Sequence, residues 1–201
     1  RDMNQSIHYY SLAANQNHAD AQYSLGLLYE EGKLISRDMD KSIHYFSLAA
    51  NQNHADAQYS LGLLYEEGKL ISRDMDKSIH YFSLAANQND SKAQYSLGLL
   101  YEEGKLISRD MNKSIYYYSL AANQNHAGAQ FTLGLLYANG ELIPRDMNQS
   151  IHYFTLAANQ NHADAQFDLG LLYMKGELIP RDMDKSIHYY SLAANQNHAD
   201  A

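Results

Sequence analysis

The 201 residues include no cysteine, no tryptophan, no valine and only two prolines. Without cysteine there is neither a disulfide framework nor a thiolate metal site. Scarce β-branched residues and almost no proline favour helix over sheet. No apolar run approaches the roughly 18 residues that a spanning helix needs. No signal peptide begins the chain, which starts at Arg1 rather than at an initiator Met. Positive charge is also short. Lys and Arg number 15 against 23 Asp and Glu, a formal charge of −8. A phosphate-backbone binder needs a basic face, so neither nucleic acid nor membrane insertion is expected.

What is present is self-similarity. The string Arg-Asp-Met begins at Arg1, Arg37, Arg73, Arg109, Arg145 and Arg181, a constant step of 36. Residues 1–36 and 37–72 differ only at Asn4/Asp40, Gln5/Lys41 and Tyr10/Phe46. A period of 20–50 residues is the signature of a solenoid or array. Each copy contains two helices. In helix A, Ala57, Leu61, Leu64 and Tyr65 form one apolar stripe, Asp56 complements the helix dipole, and Gly68 ends the helix. Gly62 costs about 1 kcal/mol mid-helix relative to Ala. Its repetition at each step predicts a close helix approach. In helix B, Asp74 is the expected N-cap. Ile79, Phe82, Ala85 and Ala86 form the expected buried stripe, and Asn89 a left-handed C-terminal cap.

These residues resemble the Sel1-like repeat family, an α/α-solenoid class related to tetratricopeptide repeats. The matching pattern is Ala57-x-x-x-Leu61-Gly62-x-x-Tyr65-x-x-Gly68, then Asp74-x-x-Lys77-Ser78, then Ala85-Ala86-x-x-Asn89, repeated along the chain. Three positions depart from the family pattern: Leu70 for a loop glycine, Tyr81 for a helix-B tryptophan, and Asn89 for a terminal glycine. An apolar loop anchor, an aromatic exchange and an alternative left-handed cap account for them. The resemblance implies an all-α fold, a right-handed α/α solenoid (superhelix) of 36-residue helix-turn-helix repeats, with helix A on the concave surface. It also implies a non-enzymatic adaptor role. The expected organisation is a single solenoid domain over 1–201, a window of a longer array. Its first helix B then lacks a neighbour across Ile7, Tyr10, Ala13 and Ala14.

Catalytic and metal constellations dissolve into the period. His8, His44, His80, His152 and His188 share a helix-B position; His18, His54, His126, His162 and His198 share the start of helix A. None has a ligand spacing, so no metal or cofactor is expected. The pairs Glu30-Glu31, Glu66-Glu67 and Glu102-Glu103 stand near Lys33, Lys69 and Lys105, the pattern of a solvated face rather than an acid–base pair. No serine has a nucleophile-elbow context and no glycines form a phosphate loop. Four sequons, at Asn4, Asn89, Asn112 and Asn148, are candidate glycan acceptors in an exported protein.

One ladder stands out on helix A, away from the main stripe. Its rungs are Tyr23/Leu27/Glu30, Tyr59/Leu63/Glu66, Tyr95/Leu99/Glu102, Phe131/Leu135/Ala138 and Phe167/Leu171/Met174. These side chains either line a groove for a protein or peptide or pack on the next copy. The leading expectation is an interaction scaffold. The alternative is a structural array, extended or joined end to end with further copies of itself.

Overall fold

The computed structural model describes residues 3–68, 71–104, 107–140, 143–177 and 179–196. Expectations for the Asn4 side chain and for Lys69, Leu70, Lys105 and His198 fall outside them. Among the described residues lie eleven α-helices and no strand. The helix-A elements are α2 (Ala19–Glu31), α4 (Ala55–Glu67), α6 (Ser91–Glu103), α8 (Ala127–Asn139) and α10 (Ala163–Lys175). The helix-B elements are α1 (Met3–Asn15), α3 (Met39–Ala50), α5 (Met75–Asn87), α7 (Met111–Asn123), α9 (Met147–Ala158) and α11 (Met183–Ala194). The chain forms two compact units, Arg1–Leu97 and Gly98–Ala201. Within each, helices pack on their neighbours in chain order.

Local chemistry sets the boundaries. Asp74 Oδ1 accepts the Lys77 amide at 3.0 Å and caps α5, as expected. Gly68 closes α4 at φ 63°, donating its amide to Leu64 O at 3.2 Å. The B-to-A connection is tighter. Asn53 takes φ 61°, its amide reaches Ala50 O at 3.0 Å, and the His54 amide reaches Ala49 O at 3.1 Å, which is a Schellman closure. His54 then caps the following helix, its Nδ1 accepting the Ala57 amide at 3.3 Å. One residue therefore ends α3 and starts α4. His126 and His162 do the same, and in the copy without histidine Asp90 takes the role at 2.7 Å.

The core follows the glycine. A Cβ added to Gly62 would sit 2.5 Å from the Phe82 ring, so only glycine admits the aromatic there. Phe46, Phe82 and Phe154 are almost fully buried at this contact, as is Tyr118 at the equivalent position. In the first unit Phe46, Ala49, Ala50, Ala57, Leu61 and Leu64 form a continuous cluster. In the second, Phe154, Ala157, Ala158, Ala165 and Leu169 form its equivalent.

Two expectations need correction. Ser78, not Ile79, occupies the buried stripe of α5, because the glycine contact brings the helices too close for a larger side chain. At the equivalent position Ser186 Oγ donates to Gly170 O at 2.9 Å. Of the described loop residues, Leu34 is exposed and Ile71 packs on the core. Ala13 and Ala14 are not open; they pack with Ala21 and Leu25 of α2.

A buried glutamine joins copy to copy. Gln58 Nε2 donates to Ala50 O at 3.1 Å, and its Oε1 accepts Gln88 Nε2 at 2.7 Å. Gln22, Gln130 and Gln166 make the same pair of bonds. Each takes the second lone pair of a helix-B carbonyl that already accepts the amide of the left-handed asparagine, and the paired bonds are why a fully buried amide is tolerated.

His162 makes the capping testable. His54 Nε2 lies 3.2 Å from Asp20 Oδ1. The residue at the matching step from His162 is Gly128, which offers no carboxylate. Burial pushes the His162 imidazole below its ordinary value, against the opposing pull of Asp164. The unfolded chain then binds the proton first. The contribution of this cap is complete above the unfolded value of about 6.5 and is lost as pH falls through the lower folded value. Acidifying from about pH 7 to about pH 5 should lower the denaturant midpoint. His162→Asn, a cap that does not titrate, should remove part of that drop. An unchanged pH dependence in the variant would contradict this role.

Candidate interaction face on helix A

The ladder residues lie on the helix-A elements. In the first unit these are Tyr23, Leu27 and Glu30 on α2, Tyr59, Leu63 and Glu66 on α4, and Tyr95 on α6. In the second they are Leu99 and Glu102 on α6, Phe131 and Leu135 on α8, and Phe167, Leu171 and Met174 on α10. All are half-buried except Met174, which is exposed.

Their buried halves pack on the paired helix B and, for Tyr23, Tyr59 and Phe131, on the start of the next helix A. The Tyr23 ring lies 5.6 Å from Phe46 and 4.7 Å from His54. Tyr59 lies 5.7 Å from Phe82, with Lys92 Nζ 5.9 Å above its ring. Phe131 contacts Phe154 at 5.7 Å and stacks on His162 at 4.6 Å. Phe167 meets Tyr190 at 5.5 Å. Burial raises the Tyr23 and Tyr59 phenols above their ordinary values, partly offset by hydrogen bonds with Ser60 and Ser96. The packing reading therefore accounts for one side of the Tyr23, Tyr59, Phe131 and Phe167 rings, which are only half-buried.

The carboxylate pairs are split rather than jointly solvated. Glu31 is exposed, 3.5 Å from Lys33. Glu30 is half-buried, and burial raises its carboxyl despite the opposing Arg37. Glu102 accepts the Tyr118 hydroxyl at 2.5 Å. The first glutamate of each pair thus borders the apolar rungs, while the second faces water.

Two concavities occur in the second unit. One, of about 160 Å³, is lined by Leu135, Ala138, Phe154, Asp168, Leu171 and Leu172, on the ladder itself. The other, of about 310 Å³, lies at the loop before α11, among Tyr173, Ile179, Pro180, Arg181 and Lys185. Sequence reasoning missed both. For the first, Ala138 and Asp168 were the available signals, each replacing a different residue at its repeat position.

The remaining candidates are dispersed. His8, His44, His80, His152 and His188 are exposed on helix B, each against the tyrosine that follows it. Among the described residues no group of three or more His, Asp or Glu is arranged to hold a metal ion. Asn89, Asn112 and Asn148 are exposed. No described helix is long and apolar enough to cross a membrane. Tyr81, which stands for the family tryptophan, stacks on Tyr65 at 5.9 Å with their planes 3° apart.

Comparison with known proteins agrees with this architecture. The Sel1 repeat family model matches residues 1–18, 19–54, 55–90, 91–126, 127–162 and 163–198. No curated protein matches the chain. Among solved structures, a Sel1 repeat protein from Oxalobacter formigenes aligns at 32% identity and a TM-score of 0.89, over 97% of this chain and 80% of that one. The protective antigen c5321 of uropathogenic Escherichia coli strains aligns at 27% identity and a TM-score of 0.66. It covers 99% of this chain, which spans half of the antigen. Helicobacter pylori cysteine rich protein B aligns at 26% identity and a TM-score of 0.52, over 67% of this chain and 96% of that one. Six consecutive repeat matches on a shared all-α solenoid place the chain in the Sel1 repeat family, whose members are in general non-catalytic protein-interaction scaffolds.

Proposed function

We propose that the chain is a non-enzymatic scaffold, one array of repeats whose helix-A face binds a protein or peptide. The observation that carries this reading is the half-exposed row itself. An aromatic and a leucine recur on each helix A, packed on one side and open on the other, with polar groups at their margins. Apolar anchors in a polar rim are what protein interfaces use for affinity. On the helix-B side the exposed His44, His80 and His152 recur instead, and the large apolar side chains exposed there lie on the first and last helices, with Tyr116 between them.

A displayed library of random 12-residue peptides, selected on the chain, tests the face. Leu63→Asp and Leu171→Asp should each weaken the selected binders at least about tenfold, equivalent to about 1.4 kcal/mol. His80→Asp and His188→Asp should leave binding unchanged. Binders sensitive only to the helix-B substitutions would contradict the proposal.

A second reading, a structural array joined end to end, is favoured by one observation. Ile187 on α11 is 60% exposed, whereas Ile43, Ile79, Ile115 and Ile151 at the same position are half-buried. Tyr9 and Leu12 of α1 are likewise exposed. Burying such a side chain is worth about 1.5–3 kcal/mol. Sedimentation should then give a mass that rises with concentration and falls back with Ile187→Lys. A mass independent of concentration would remove this reading.

A further inference from the structure

The repeats are nearly identical, so the positions where one copy departs are informative. At the end of helix A, successive copies have Glu30, Glu66, Glu102, Ala138 and Met174. One turn into the helix they have Ser24, Ser60, Ser96, Thr132 and Asp168. Two of these departures, Ala138 and Asp168, line the same 160 Å³ notch between α8 and α10. One removes a long charged side chain and the other adds a carboxylate.

The contrast with the preceding copy explains why the notch is open. There Glu102 reaches back and accepts the Tyr118 hydroxyl at 2.5 Å, covering the aromatic of its own hairpin. In the notch Ala138 is too short to reach, and Phe154, equivalent to Tyr118, has no hydroxyl to offer. Phe154 forms a nearly buried floor, and Leu135, Leu171 and Leu172 form apolar walls. An apolar cavity of about 150 Å³ is enough to hold a benzene-sized guest. The notch therefore fits one leucine, methionine or phenylalanine side chain.

Its polar signal has one sign. Asp168 is the only charged residue in the lining, and α8 carries no charge at all. The nearest basic residue along α10 is Lys175, in its last turn. Asp168 also acts on Tyr190, whose hydroxyl it helps burial to raise. A carboxylate has about four lone-pair sites and can accept several donors at once. Against low-dielectric walls an incoming cation is attracted more strongly than in water.

We infer that this notch is a socket for one apolar side chain of a peptide that carries a lysine or arginine close beside it. The inference rests on the interaction-face reading and narrows it to a partner of basic, apolar chemistry. An acidic peptide would be repelled by Asp168 and by the chain's net charge of −8.

Three synthetic heptapeptides test it by methyl NMR titration: Gly-Lys-Ser-Leu-Ser-Lys-Gly, the same peptide with both lysines replaced by glutamate, and the same with leucine replaced by serine. The lysine peptide should shift the Leu135, Leu171 and Leu172 methyls saturably. The glutamate peptide should need at least about ten times the concentration, and the serine peptide should shift none. Ala138→Glu restores the residue of three other copies, so the fold should tolerate it, and it should abolish the shifts. Asp168→Ser, equally native to the repeat, should keep leucine dependence but bring the two charged peptides within about threefold of each other. No saturable shift, shifts that survive Ala138→Glu, or equal binding of the serine peptide would each overturn the socket. Shifts confined to Leu27 and Leu63 would also overturn it, while leaving the broader helix-A reading in place.

Discussion

The contact between Gly62 and the Phe82 ring is the constraint on which the rest of each copy depends. It holds helix A and the following helix B close enough that an alanine Cβ would overlap the ring. At that separation the neighbouring stripe position takes only a small residue, hence the buried Ser78. The aromatic then becomes the centre of a core otherwise made of alanine and leucine. The mid-helix glycine, costly by propensity, is the condition for burying a large ring, which is worth more.

Coupling between copies is built from polar groups as well as apolar ones. His54 closes α3, caps α4 and packs at a tilt on Tyr23 of the preceding hairpin. Gln58 ties the end of α3 to Gln88 of α5. These histidine and glutamine side chains have their partners in adjacent helices, whereas the buried Ser42, Ser78, Ser114 and Ser150 hydroxyls have none. A copy is therefore complete only when its neighbours are present, as expected of a quasi-one-dimensional fold. Because identical side chains serve this stacking in every copy, specificity has to arise where copies differ. Ala138 and Asp168 are two such differences meeting at one place, and they open the ladder just where its rungs change from acidic to apolar.

Much of this was legible in the sequence, for a physical reason. A fixed period turns every residue into a position, and Gly62, Gly68, Asp74 and Asn89 each have a narrow conformational use. The helix pairs, their caps and the glycine contact followed from those uses. The histidine caps did not, because histidine is an uncommon N-cap and its repetition pointed first to metal. The signal was Asp90 replacing it in one copy. Gln58 was hidden because a buried glutamine reads as surface until its partners, 8 and 30 residues away, are in place. For the candidate face, the ladder was visible as a pattern. That each rung is shared between packing and surface was not, since periodicity assigns a residue to a side of a helix and not to a depth.

The most direct test of the central contact is the double-mutant cycle of Gly62→Ala and Phe82→Leu, followed by denaturant unfolding and hydrogen exchange. By propensity alone, Gly62→Ala should stabilise the helix by about 1 kcal/mol. If the glycine is there to admit the ring, overpacking should instead destabilise by about 1–3 kcal/mol. Phe82→Leu should relieve part of that loss, with a coupling of at least about 0.5 kcal/mol. Protection should fall first in α4 and α5. A more stable Gly62→Ala chain, or additive effects of the two substitutions, would contradict the account.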